Sequence, residues 1–319
     1  EMRFENSTPT SRLLNFLMPW AKGKRPAWLI RLGLFLYDNL GGRKILPGTS
    51  SISLGKDVAG NALRKKFKKA FEYSDCWVDD SRLVILCARD AHSRGAKIMP
   101  RNKVVEATKF ENGWIVKVKD VMSEKLSTFY CKLLVNASGP WVQNVVTYTL
   151  KSNSYLSIRL VKGSHIVTKK LYQHEKCYFL LGKDGRIVFT IPYENDFTLI
   201  GTTEIAHKDL NGCLNCSADE KRYLLNFVNE YFDDQVTTND VVWSYAGVRP
   251  LYDNSYKSSS AISRDYFLHL EKNADRSPLL NIYGGKITTH RKLAEAAFKK
   301  VEYLFSTVSS FECFTSLNK

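Results

Sequence analysis

The sequence predicts a mixed α/β protein with two interleaved domains, because short strand-and-helix segments flank a long run of strands. A strand, two glycines and an amphipathic helix follow one another at Leu279–Ala297. Residues 97–135 alternate apolar and polar side chains with a period of two, and residues 155–204 have the pattern of short strands separated by turns. This order favours a β-sheet insertion that packs over a site formed by the flanking segments.

The composition is that of a globular protein with an excess of positive charge. Of the 319 residues, 44% are hydrophobic and 25% are charged. Lys and Arg number 47 against 32 for Asp and Glu, which gives a formal net charge of +15. Such an excess favours contact with a polyanion: a phosphorylated substrate, an anionic membrane surface or a nucleic acid.

The seven cysteines are scattered along the chain, which favours reduced thiols in a cytoplasmic compartment. Cys213 and Cys216 form one CxxC pair, but no second pair completes a zinc site. We therefore expect two loop cysteines and no metal. The sequence contains no run of 18 apolar residues, so a membrane-spanning helix is not expected.

Residues 1–70 are expected to form a helical and basic segment. A helix should begin near Pro26, since proline suits a first turn, and end at Gly41–Gly42. This helix is strongly apolar, and two interpretations remain open. It packs into the core, which is slightly favoured, or it lies in a membrane interface beside a collar of Lys and Arg. The basic run at residues 64–69 is typical of a solvated face.

The following segment should contain one helix and three strands. Asp79–Asp80 can cap a helix that ends near Gly95. Strands are expected at residues 97–110, 113–121 and 127–135, with the hairpin turn at Asn112–Gly113. The small residues of Asn136–Trp141, sequence NASGPW, would then allow the backbone to approach a ligand closely.

The long β insertion should contain six strands and one amphipathic helix at residues 217–233. The expected strands are at residues 155–168, 177–181, 186–192, 197–201, 241–248 and 266–270.

After the strand at Leu279–Tyr283, Gly284 and Gly285 permit close approach of the backbone to a flat ligand. The helix expected from Thr288 offers unpaired N–H groups and a partial positive charge, and Lys286 adds a full charge there. An ordinary connection with a solvated lysine explains the same short motif, so both interpretations stand on this segment alone.

Eight ordered segments resemble one family, the FAD-dependent, quinone-linked glycerol-3-phosphate dehydrogenases. The segments are RPAWLIRLGLFLYDNLG from Arg25, FEYSDCWVDDSRLV from Phe71, LVNASGPWV from Leu134, IRLVKGSHIV from Ile158, RIVFTIPYENDFTLIGTTE from Arg186, YAGVRPL from Tyr245, ISRDY from Ile262 and NIYGGKITTHRKLAEAA from Asn281. They cover residues 17–300, approximately. The resemblance implies a two-domain fold like that of D-amino-acid oxidase, with an interleaved cofactor domain and an antiparallel substrate sheet.

With that resemblance, five segments are expected. They are residues 1–70, the N-terminal segment with a membrane-facing part; 71–148, part of the FAD-binding domain; 149–275, the substrate-binding β-sheet domain; 276–306, the return to the FAD-binding domain; and 307–319, a tail. The family's N-terminal GxGxxG unit and C-terminal domain have no counterpart here. The chain is therefore expected to correspond to the central part of such an enzyme. An inactive fragment, or one that needs a partner chain with the FAD-binding unit, is an alternative.

The family oxidises sn-glycerol 3-phosphate at C2 to dihydroxyacetone phosphate, with FAD as cofactor and ubiquinone as electron acceptor. The resemblance implies that His165 is the catalytic base and that Arg249 orients the C2 hydroxyl. It further implies that Arg264, Lys286 and Thr288 bind the phosphate, as fixed cations and a hydroxyl can. The implied FAD contacts are Ser138, Gly139, Trp141, Gly284, Gly285, Lys286 and Thr288, with Gly201, Thr202 and Thr203 on a cofactor-facing edge.

For each of these side chains a structural role is the simpler alternative. A lone strand histidine is more often a satisfied structural residue, and an arginine more often forms a surface ion pair.

Two further expectations, on location and on association, follow from the resemblance. The protein should be cytoplasmic and peripheral on the inner membrane, whereas the sequence leaves the oligomeric state open, with a homodimer as one option. A nucleic-acid-binding protein is the alternative of another class, and it is disfavoured because the arginines lie in separate turns instead of along one sheet face.

Overall fold

The computed structural model describes residues 11–21, 26–39, 46–152, 156–208, 210, 214–253, 265–271 and 277–305. The chain divides into two compact units. Unit 1 comprises residues 1–94, 162–205 and 212–247, and unit 2 comprises residues 95–161, 206–211 and 248–319. The assignment of segments to an FAD-binding and a substrate-binding domain stays a prediction.

Fifteen strands and five α-helices lie in the part of the chain that the structure describes. The strands are β1 (Ser11–Trp20), β2 (Ser50–Ser53), β3 (Lys69–Val78), β4 (Asn102–Phe110), β5 (Gly113–Asp120), β6 (Leu126–Cys131), β7 (Leu134–Asn136), β8 (Ser157–Lys169), β9 (Cys177–Leu181), β10 (Ile187–Tyr193), β11 (Phe197–Gly201), β12 (Ile205–His207), β13 (Val241–Asp253), β14 (Tyr266–Glu271) and β15 (Leu279–Gly284). The helices are α1 (Ala27–Asn39), α2 (Asp80–Ser93), α3 (Val142–Asn144), α4 (Ala218–Asn229) and α5 (His290–Val301).

Nine strands, which lie mainly in unit 1, form one sheet in the order β12-β8-β11-β10-β9-β1-β3-β2, with β13 paired to β8. The strands β8, β11, β10 and β9 pair antiparallel in succession. The six strands and the helix predicted for the insertion are confirmed, with ends displaced by a few residues. Helix α4 buries Leu224, Phe227 and Val228 in a core that includes Ile166 and Leu180 of the sheet.

Strand β1 is not anticipated by the sequence, although it pairs with β3 over its whole length, from Ser11–Val78 to Trp20–Lys69. Its side chains are buried on both faces: Leu17 belongs to the main core, whereas Leu14 and Phe16 pack in a separate cluster. A strand buried on both faces gives an uninterrupted apolar run and loses the period of two. The short strand β2 is likewise unpredicted.

Helix α1 occupies the predicted residues, but the expectation that it packs into the core is wrong for most of its apolar side chains. Leu34 is its buried residue, whereas Trp28, Phe35 and Leu36 are 67%, 60% and 54% exposed. The Tyr37 hydroxyl donates a hydrogen bond to the Ser74 carbonyl at 3.2 Å. The helix therefore rests on the sheet through a narrow contact and presents apolar side chains to solvent.

Unit 2 contains two three-stranded sheets, β4-β5-β6 and β14-β15-β7. The strands predicted at 97–110 and 113–121 are confirmed as β4 and β5, although β4 begins only at Asn102. The single strand predicted at 127–135 is wrong, because the chain breaks there into β6 and β7, and β7 pairs in the other sheet. The hairpin turn lies one residue earlier than expected, because Phe110 pairs with Gly113 and the turn residues are Glu111 and Asn112. Gly113 instead opens β5, where a Cβ atom would collide with the Cys131 carbonyl oxygen.

Among the described helices, none has the length and apolarity needed to cross a bilayer.

Candidate active site

His165 lies half-buried in β8, opposite Gly201 in the antiparallel pairing with β11. Its imidazole stacks on the ring of Tyr245, with centroids 5.0 Å apart and planes inclined by 9°. A Cβ atom at Gly201 would lie 2.6 Å from Nε2 of His165, so only glycine leaves room for the ring there. Partial burial raises the pKa of the Tyr245 phenol from its ordinary value. The histidine is thus fixed by one backbone segment and one aromatic ring.

The opposite face of β8 contacts a polar cluster, which we call the Glu220 cluster: Lys162, Ser164, Thr203, Ser217 and Glu220. Ser164, Thr203 and Glu220 are buried, Lys162 is half-buried and Ser217 is exposed. Burial alone would raise the pKa of Glu220, but hydrogen bonds from Lys162, the Ser217 N–H and the two hydroxyls outweigh it and lower the pKa to about 2. The carboxylate is therefore ionised at neutral pH.

Of the Glu220 cluster, the sequence analysis names only Thr203, which it expects on a cofactor-facing edge; in the structure Thr203 is buried and its hydroxyl donates to Glu220. Only Ser217 and Glu220 carry a local signal, since the spacing S-x-x-E at the start of α4 is that of a capping box, which the structure contains. Lys162 and Ser164 lie more than 50 residues away in sequence. No pattern in the sequence connects them to that box.

In unit 2, the segment after β7 is held by side-chain amides. β7 and β15 pair in parallel, with Asn136 opposite Asn281. The amide of Asn136 donates to the carbonyl of Val142 at 3.0 Å and to Oδ1 of Asn281 at 2.9 Å, and it accepts from the Ser138 hydroxyl at 2.6 Å. The hydrogen bond to Asn136 therefore fixes the position of the Ser138 side chain.

Gly139 follows with a positive φ of 57° and no neighbouring heavy atom within 4 Å of where a Cβ would lie. The backbone at Gly139 is therefore open to a flat ligand, which a larger residue would exclude. Trp141 closes this turn and is 51% exposed. Open backbone beside an exposed indole fits the binding of a flavin nucleotide.

The predicted strand, glycine turn and helix at the end of unit 2 are confirmed. Gly284 and Gly285 have φ of 71° and 102°. A Cβ would approach the Asp265 carbonyl oxygen to 2.8 Å at Gly284 and Cδ1 of Leu293 to 2.9 Å at Gly285. Both glycines are therefore needed for the fold of the turn itself.

The helix opens with a 3₁₀ turn at Ile287–Thr289, and α5 follows. Neither helix start is capped by a side-chain hydrogen bond, and the side chains of Lys286 and Thr288 are exposed. Uncapped N–H groups beside a lysine provide positive potential, which fits a phosphate or an electron-rich ring.

The remaining predicted residues are placed as follows. Arg249 lies in β13 with an exposed side chain. Arg264 lies outside the described residues, as does Cys213, whereas Cys216 is a buried free thiol. His165 belongs to unit 1, and Arg249, Lys286 and Thr288 belong to unit 2. The grouping of these side chains around one substrate stays a prediction.

Residues 16–291, which are most of the chain, match the family described as FAD dependent oxidoreductase. The protein belongs to this family.

Three similar proteins are more specific in function than this broad family. The D-erythritol 1-phosphate dehydrogenase of Brucella abortus is 44% identical, over 92% of this chain and 58% of its own length. The aerobic glycerol-3-phosphate dehydrogenase of Escherichia coli is 42% identical, over 90% of this chain and 57% of its own. The structure of the Bacillus halodurans glycerol-3-phosphate dehydrogenase complexed with FAD has a TM-score of 0.72 and 25% identity, over 92% of this chain and 52% of that one.

These comparisons confirm the resemblance and the fold class expected from the sequence, and FAD is the cofactor of the family. The chain spans less than two thirds of the length of each of these relatives.

Proposed function

We propose that this protein carries out the FAD-dependent oxidation of a secondary hydroxyl in a phosphorylated polyol, with sn-glycerol 3-phosphate as the first candidate substrate. The observation that carries the proposal is the fixed position of His165 on Gly201 and Tyr245. That arrangement suits a neutral imidazole that accepts a hydroxyl proton near pH 7. The chain's similarity to glycerol-3-phosphate dehydrogenases supports the choice of substrate.

In this proposal, FAD supplies the acceptor for the two electrons and the hydrogen that leave the substrate carbon. His165 accepts the proton of the reacting hydroxyl, so that the carbon–oxygen double bond forms as the C–H and O–H bonds break. Arg249 orients that hydroxyl and stabilises the charge that develops on its oxygen. Lys286, Thr288 and Arg264 bind the phosphate.

Ser138, Gly139 and Trp141 would hold the cofactor along the turn after β7. Gly284 and Gly285, together with Lys286 and Thr288, would place the uncapped helix start against its electron-rich ring. The open backbone at Gly139 supports the first contact, and the absence of a side-chain cap supports the second. The GxGxxG unit of the family would come from a partner chain or from a longer form of this one.

A second substrate is D-erythritol 1-phosphate, because a relative named for it is 44% identical. Both molecules combine a phosphate monoester with neighbouring hydroxyls, so the same cations and the same histidine would serve both.

We further propose that the protein contacts a membrane surface and transfers its electrons to ubiquinone. The exposed apolar residues Trp28, Leu32, Phe35 and Leu36 share one face of α1 by their spacing. Such a face on a chain of net charge +15 suits an anionic membrane surface. Association as a homodimer belongs to the same proposal.

The test is reduction of bound FAD under anaerobic conditions by glycerol 3-phosphate and by D-erythritol 1-phosphate, with glycerol as the control that lacks the phosphate. Loss of the oxidised-flavin absorbance with a phosphorylated polyol, and none with glycerol, is expected. A reconstituted protein that retains FAD but is reduced by neither phosphate contradicts the proposal. Failure to retain FAD until the family's N-terminal unit is added as a separate chain supports the partner-dependent alternative.

A further inference from the structure

Glu220 accepts four hydrogen bonds, two at each carboxylate oxygen. Oε1 accepts from the hydroxyls of Ser164 at 2.7 Å and Thr203 at 2.9 Å. Oε2 accepts from Nζ of Lys162 at 2.8 Å and from the backbone N–H of Ser217 at 2.9 Å. The residue is 2% exposed, so these four donors replace its hydration.

Three of the four donors come from the chain segments that carry His165 and Gly201, and the fourth, the Ser217 N–H, lies at the start of α4. Ser164 precedes His165 in β8, and Thr203 follows Gly201 by two residues. The backbone N–H of Ser164 donates to the Thr203 hydroxyl at 2.9 Å, and the N–H of Thr203 donates to the Ser164 carbonyl at 3.2 Å. Gly201 and His165 are the last residue pair in the antiparallel pairing of β11 with β8. Beyond this pair, the Thr203 hydroxyl links the two segments by accepting the Ser164 N–H.

A buried ion pair is an uncertain contribution to stability, because the cost of removing two charges from water offsets their attraction. An apolar pair of similar volume would hold α4 against the sheet at least as well. What an apolar pair cannot provide is directional hydrogen bonds to both backbone segments. The charges and hydroxyls therefore contribute a defined geometry at this point of the sheet.

We infer that Glu220 is a positioning residue for His165. Its carboxylate fixes the spacing between β8 and the segment Gly201–Thr203, and this spacing sets the imidazole against Gly201 and Tyr245. The catalytic consequence rests on the proposed function, whereas the structural consequence does not.

The experiment compares Glu220→Gln with Asp57→Asn in the 319-residue chain. Asp57 caps a 3₁₀ turn and pairs with Lys176 at 3.3 Å, so its loss also removes a partly buried ion pair in unit 1. The readout is the imidazole NMR signals of histidine-labelled protein, with the His165 signals assigned by their disappearance in His165→Gln. The six histidines of the chain make this assignment practical.

We expect Glu220→Gln to displace the His165 signals, and Asp57→Asn to leave them in place even when both variants lower the thermal unfolding midpoint equally. Should Glu220→Gln not fold, Ser164→Ala removes one donor to Oε1 and should displace the same signals. Unchanged His165 signals in whichever of these variants folds would overturn the inference.

Steady-state turnover is the second measurement of the experiment. If the protein oxidises glycerol 3-phosphate, Glu220→Gln should lower kcat about tenfold to a hundredfold, since a small displacement of a reacting group has such an effect. A lowered kcat with unchanged His165 signals would contradict the positioning role. If the wild-type protein oxidises no polyol phosphate, the proposed function fails, but the NMR comparison still decides whether Glu220 positions His165.

Discussion

The imidazole of His165 and the phenol ring of Tyr245 lie in a nearly parallel stack, 5.0 Å between centroids. The two residues come from β8 and β13, which pair in the large sheet. A ring held in this way loses little additional freedom when a substrate binds. Such preorganisation is what a general base requires.

The stack predicts different effects for two substitutions of Tyr245. Tyr245→Phe keeps the ring and should oxidise glycerol 3-phosphate at nearly the wild-type rate, whereas Tyr245→Leu should turn over about twofold to tenfold more slowly. An aromatic pair contributes about 0.5–1.5 kcal/mol beyond its buried area, which corresponds to such a factor. Steady-state kinetics of the two variants measure it. Equal rates in Leu and Phe variants would contradict a role for the stack.

Gly201 predicts a local steric effect. Gly201→Ala should displace the His165 ring and lower the free energy of unfolding by about 1–3 kcal/mol, as overpacking of a filled site does. Gly247→Ala is the matched control, because a Cβ there would have no heavy atom within 4 Å. Urea denaturation of both variants gives the comparison. If the two alanine variants are equally stable, the steric account of Gly201 is incorrect.

The sequence predicts those elements whose burial differs between their two faces. Strand β5 alternates because one of its faces is buried, and the segment from β15 to α5 is marked by its glycines. β1 is buried on both faces, so its apolar residues carry no strand period. In α1, the apolar residues predict burial that the structure does not contain, because hydrophobic character alone does not distinguish a core contact from an exposed face.

The candidate site is predictable only where one short segment carries the signal. His165 is named from the resemblance of the segment IRLVKGSHIV to a family segment, and the turn at Gly284–Gly285 from its own glycines. Glu220 is not, because its partners Ser164 and Thr203 approach it only after β8, β11 and α4 have packed. A contact between residues 17 and 56 positions apart has no local pattern.

The low pKa of Glu220 predicts an acid-dependent loss of stability. Because the folded-state pKa of about 2 lies below the ordinary value of 4.5, the contribution is present above pH 4.5 and is lost as the pH falls towards 2. The unfolding free energy of Glu220→Gln should therefore fall less steeply with decreasing pH over this range. The two slopes should differ by the equivalent of at most about one bound proton. Urea titrations of both proteins at several pH values measure the two slopes. Identical slopes would exclude the ionised carboxylate as a source of acid sensitivity.

The exposed face of α1 predicts binding to lipid. Phe35→Ser should weaken sedimentation with vesicles that contain anionic phospholipid, since it removes an apolar side chain from the proposed contact. Val84→Ser in α2 is the control, because Val84 is also an exposed apolar residue on a surface helix. Both variants should leave flavin reduction by substrate unchanged. Equal loss of vesicle binding in the two variants would mean that α1 has no special role.

The central claim is that His165 takes the hydroxyl proton of a polyol phosphate. Its most direct test is the pH dependence of anaerobic flavin reduction in wild type and His165→Gln. The wild-type rate should fall at acid pH, because an imidazole that is already protonated cannot accept the hydroxyl proton. In His165→Gln the rate should be about a hundredfold or more lower at pH 7.5, without that acid limb. A His165→Gln protein that reduces its flavin at the wild-type rate, with the same pH profile, would contradict the account.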